Sequence, residues 1–136
     1  MKMDKKSANQ FRFIVDLVAI ALAVAVSWLI VAGNTYGCCV PRNFVPLGLS
    51  LAGFVLVTRR YGGSIPHVLA LLGFSGVAIG LTGYLHAAFL FDWKGLASTA
   101  KTPELLFRYL PFYVLFAGAI GAAIGWIIGR NVKPRD

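Results

Sequence analysis

The chain has 136 residues, 58% of them hydrophobic and 13% charged, with a mean hydropathy of +0.75. That is too apolar for a soluble globular domain, too ordered in pattern for a disordered chain and, with two cysteines, too poor in thiols for a disulfide-built scaffold. The formal net charge of +8 invites a nucleic-acid reading, but the basic residues flank apolar runs and build no basic face, so no nucleic-acid partner is expected.

The runs predict an all-α integral membrane protein, a four-transmembrane-helix bundle forming a single membrane domain over residues 1–136, with spans at 13–32, 44–58, 65–91 and 111–129. Four helices of about 20 residues use about 80 of them, and the remainder is too small for a soluble catalytic domain. The first span, Phe13 to Ala32, is interrupted only by Asp16 and Ser27 and follows Lys2, Lys5, Lys6 and Arg12. A signal peptide has an apolar region of roughly 7 to 15 residues, and this run is longer, so the helix is expected to be retained.

The second span is short. Counted from Phe44 to Val57 it rises about 21 Å against a hydrocarbon core of about 30 Å. Arg59 and Arg60 must snorkel at one end, and Pro41 can open a helical turn at the other. Pro46 falls in the first turns, where it is expected to bend them. The third span is the longest and stops at Asp92-Trp93-Lys94. Beyond a polar stretch, residues 105–110 read as an interfacial segment and Pro111 as the first turn of the fourth span.

With both termini cytoplasmic, Lys2, Lys5, Lys6, Arg12, Arg59, Arg60, Arg130, Lys133 and Arg135 lie inside, nine of the 13 basic residues. Arg42, Lys94, Lys101 and Arg108 lie outside, so the positive-inside rule favours cytoplasmic N and C termini. Trp28, Tyr36, Trp93, Tyr109 and Tyr113 then make an outer aromatic belt. The expected location is a bacterial inner (cytoplasmic) membrane.

Glycine recurs at helical spacing in two spans. Gly73, Gly76, Gly80 and Gly83 form one stripe in the third, and Gly118, Gly121, Gly125 and Gly129 another in the fourth. Lipid tails are as apolar as leucine, so helices associate in a bilayer by close packing, which glycine permits by letting backbones approach. The stripes are therefore expected packing surfaces, facing each other within one bundle or facing another subunit as a glycine zipper. Gly95, outside both, is expected to tolerate substitution.

Asp16 is the one acidic residue well inside a span, with Ala19, Ala23 and Ser27 on its face and Arg12 one turn earlier. Intramembrane carboxylates are costly, which makes Asp16 with Arg12 either a structural ion pair or a device for proton or cation coupling. Cys38 and Cys39 are adjacent, a spacing that disfavours a disulfide between them. With His86 on the same side they could hold a soft metal, or they could link two chains. This pair together with Leu72-Gly73-Phe74-Ser75-Gly76 resembles short fragments of bacterial mercuric-ion transport proteins. The further cysteines that such metal transfer implies are missing, and membership is not inferred from it.

His67 and His86 sit about 28 Å apart on one helix and cannot share a ligand. His86 alone, beside Gly83, Ala87, Ala88, Phe89, Phe91 and Trp93, could serve as one axial ligand of a haem or pigment. No cofactor is expected on balance, and no phosphate loop, zinc helix, nucleophile elbow or carboxylate pair is present in the sequence, so the protein is expected not to be an enzyme. The leading expectation is a small polytopic protein acting through intramembrane helix packing, as a homo-oligomer or an accessory subunit among other membrane subunits. The alternatives are an oligomeric transporter or channel for an ion, soft metal or small hydrophobic solute, and a cofactor-binding subunit.

Overall fold

The computed structural model describes residues 5–32, 40–60 and 64–132. It contains α1 (Lys5–Ala32), α2 (Val40–Asn43), α3 (Val45–Arg60), α4 (Ile65–Leu90), a 3-10 turn at Trp93–Gly95, α5 (Leu96–Thr99) and α6 (Pro103–Asn131). There is no strand among the described residues. Four helical stretches are long and apolar enough to cross a membrane: Phe13–Ala32, Pro41–Arg60, Ile65–Leu90 and Pro103–Asn131. Their outward faces are apolar too, with Ile20, Val24 and Trp28 on α1 and Phe112, Phe116 and Ile127 on α6 all exposed. Water does not tolerate so continuous an apolar surface, whereas hydrocarbon does.

The second span gains its length from α2. Pro46 has no N–H to give to the Arg42 carbonyl one turn back, and the helix is interrupted at Phe44 and resumes at Val45. The interruption leaves Asn43 pointing inward, where it is buried.

The fourth helix corrects the sequence reading. It starts at Pro103, which takes the first-turn position, and Pro111 lies inside it. Residues 105–110 are thus helical, and Phe107 and Leu110 are buried. Pro103 can open the helix because a first-turn residue needs no N–H partner; burial of Phe107, Leu110 and Val114 against Ala78 then holds the extra two turns in place.

The most extensive packing is between α4 and α6, which run antiparallel: Gly129 meets Pro66, Gly125 meets Leu69, and Gly121 meets Gly73. A second cluster of Val26, Ile30, Leu47 and Ile79, flanked by Phe44, ties α1 and α3 to α4.

At the end of α4 the chain turns through two non-glycine residues of positive φ, Asp92 (45°) and Lys94 (54°), and Gly95 (74°). The Asp92 carboxylate stabilises this turn by accepting from the N–H groups of Ala97 (2.8 Å) and Ser98 (3.1 Å) and from the Ser98 hydroxyl (2.9 Å). The Ser98 N–H and then its hydroxyl hold the Asp92 pKa below the ordinary carboxylate value. A depressed pKa stabilises the folded turn above the unfolded value of about 3.9 and ceases to do so as pH falls through the lower, folded one. Hydrogen exchange at Ala97 and Ser98 should therefore stay slow at neutral pH and accelerate only in strong acid. Asp92→Asn should show the fast exchange at neutral pH already; unchanged protection in that variant would contradict the assignment.

Candidate functional site

Two features of α4 stand out, an open groove on one side and a buried polar cluster on another. The glycines define the groove. On α6 every glycine of the stripe is closed against α4: a β carbon added at Gly125 would lie 2.1 Å from the Leu69 carbonyl oxygen, at Gly121 2.6 Å from that of Gly73, at Gly129 2.5 Å from the Pro66 Cα, and at Gly118 2.9 Å from the Phe74 ring. On α4 the stripe divides. A β carbon at Gly73 would lie 2.2 Å from the Gly121 oxygen, and at Gly83 2.8 Å from Val26 on α1, whereas Gly76 and Gly80 have no atom within 4 Å of that position.

The division follows from helical geometry. Gly73 and Gly83 lie about 80° apart around the axis, one edge of the stripe reaching α6 and the other α1, with Gly80 and Gly76 at intermediate angles. α1 closes on α4 at Val26 and Gly83. Toward its other end a groove of about 530 Å³ separates the two helices, bounded by Ile14, Val18 and Leu22 of α1, Phe54 of α3, and Ser75, Gly76 and Gly80 of α4. Ser75 is the exception in this apolar lining. It is 3% exposed, and its hydroxyl has no hydrogen-bond partner among the described residues.

The polar cluster is formed by Asn43, Thr82 and His86, which are 4%, 1% and 4% exposed. His86 Nδ1 donates to the Thr82 carbonyl at 2.8 Å. A carbonyl only accepts, so the neutral ring carries its proton on Nδ1 and turns the Nε2 lone pair to the Asn43 amide nitrogen, 3.4 Å away. Phe107 of α6 packs against the imidazole at a centroid distance of 4.9 Å. The Asn43 carbonyl oxygen and the Thr82 hydroxyl are left without partners among the described residues.

The sequence-selected residues are thus distributed, not gathered. Asp16 is half-buried on α1, near the level of Leu72, which lines the same groove as its neighbour Val15. His86 lies 14 residues further along α4, about 21 Å away by helical rise. The Arg12 side chain, and with it the Asp16 pair, lies outside the described residues, as do Cys38 and Cys39. No group of three His, Cys, Asp or Glu side chains that could hold a metal occurs among the described residues. His86 is buried, with Nδ1 bonded to the Thr82 carbonyl and Nε2 in a long 3.4 Å contact with Asn43. Sequence reasoning missed Asn43, Ser75 and Thr82. The spacing of Ser75, Thr82 and His86 by seven and four, which puts them on one face of α4, was the available signal.

The chain matches no protein family, no curated protein and no solved structure.

Proposed function

We propose that the chain is a non-enzymatic four-span membrane protein that works by accepting another transmembrane helix on the Gly76 and Gly80 face of α4, as a homo-oligomer or as an accessory subunit of a larger membrane complex. The observation that carries this is the contrast between glycines. Six of the eight stripe glycines are closed against neighbouring helices or side chains, and the two left open, Gly76 and Gly80, have the four-residue spacing of a helix-association motif.

Both termini face the cytoplasm in this reading, and the membrane is a bacterial inner membrane. Arg59 and Arg60 end α3 and Arg130 ends α6, so the basic residues meet the negative ends of both helix dipoles as well as the cytoplasmic side. Arg130 also lies over the Trp126 ring at 4.7 Å, an interfacial arrangement. Reporter fusions after Asp136 and between Gly62 and Gly63 should signal cytoplasm, and a fusion at Ser98 the opposite side. A reversed pattern would overturn the orientation.

Purification from the native membrane in mild detergent, with the mass and composition of the complex measured, tests the association itself. A stoichiometric second copy or another membrane subunit is the expected result. A bare monomer at every detergent concentration would contradict it.

A further inference from the structure

We infer that Asn43, Thr82 and His86 form a water-binding site inside the bundle, one that opens toward the end where α2 begins and α4 stops. The argument starts from how hydroxyls in apolar helices satisfy themselves. They usually donate to the carbonyl one turn back, as Ser27 does to Ala23 at 2.7 Å, Ser50 to Pro46 at 3.0 Å, and Thr58 to Phe54. Thr82 is equally helical and, like Ser50, almost wholly buried, yet its hydroxyl makes no such bond and has no other partner among the described residues.

A second orphan adjoins it. The Asn43 side-chain oxygen is buried and unpartnered, and Asn43 and Thr82 meet the same imidazole, Asn43 through its side-chain nitrogen and Thr82 through its backbone carbonyl. The unmet demand has a definite chemistry. Asn43 Oδ1 needs a donor, Thr82 Oγ needs a donor or an acceptor, and the Nε2 lone pair has only a long 3.4 Å contact. Water both donates and accepts twice, and it is small enough for a buried site.

Access is short as well. His86 is four residues from the last residue of α4, about 6 Å along the helix. Asn43 ends the four-residue helix α2 at the same end of the bundle. This site is separate from the Gly76 and Gly80 groove, whose boundary includes neither Asn43 nor His86, and its test does not depend on any partner.

Silver ion is a suitable probe, since it binds thiolates wherever water carries it. In a background with Cys38→Ser and Cys39→Ser, Thr82→Cys should take up silver from the aqueous phase, protecting the thiol from maleimide after denaturation. Ala78→Cys, one turn away and completely buried against Phe107, Leu110 and Val114, should be at least about tenfold slower, because an apolar core stays dry. Equal rates at the two positions would overturn the inference. Thr82→Val gives an independent reading through its sign. Removing a hydroxyl that binds water should lower the midpoint of thermal unfolding in detergent by about 3 °C, whereas removing a dry, orphaned one should raise it. A rise would overturn the inference even if the cysteine variants failed to fold.

Discussion

Gly125→Ala is expected to destabilise the isolated chain by about 3 kcal/mol or more, the upper range for overpacking a close contact. The new methyl group would sit 2.1 Å from the Leu69 carbonyl oxygen and 2.7 Å from its carbon. Ordinary contact begins near 3.4 Å, and the obstacle is backbone on both sides, so no rotamer change relieves it. α6 would have to move away from α4, and the adjoining Gly121–Gly73 and Gly129–Pro66 contacts would open with it. Helices in a bilayer are held by such close packing and not by expulsion of water, so the lost dispersion contacts are not recovered elsewhere. Thermal unfolding of the purified protein checks this. A midpoint unchanged from wild type would mean that α4 and α6 do not meet along their glycines.

Gly80→Leu and Gly76→Leu should give the opposite pattern. Neither position has a neighbour within 4 Å, so the isolated chain should keep its stability to within about 0.5 kcal/mol. The leucine would instead project into the space reserved for the partner helix. Recovery of the complex in mild detergent should fall about tenfold or more, which corresponds to about 1.4 kcal/mol of lost association. Equal loss of stability and assembly would place these glycines inside the bundle. No loss of either would leave the face to lipid.

Much of the architecture was legible in the sequence because long apolar runs leave a backbone few solutions other than the helix. Apolar length alone located four helices, and the spacing of Gly118, Gly121, Gly125 and Gly129 marked the α6 face that meets α4. The division of the α4 stripe was not legible. Its four glycines fall within about 80°, and which part is covered depends on where α1 diverges, a tertiary property that no spacing encodes. Asn43 was hidden for a related reason, since its inward turn follows from the helix break before Pro46 and not from any periodic pattern.

Two proline readings show the same limit. Pro103 and Pro111 are equally acceptable first-turn residues by local rules, and only burial of Phe107 and Leu110 decides for Pro103. Gly95 is the converse case. As a loop residue it looked replaceable, but its φ of 74° is one that side chains rarely adopt, so Gly95→Leu would strain the turn that Asp92 holds.

The central claim, that the Gly76 and Gly80 face receives a protein helix, is tested most directly by site-specific photocrosslinking in intact membranes. A photoreactive residue at position 80 should yield an adduct with a second copy or another membrane protein. The same residue at position 116, where Phe116 is 72% exposed on α6, should label lipid. Lipid adducts alone at both positions would contradict the account.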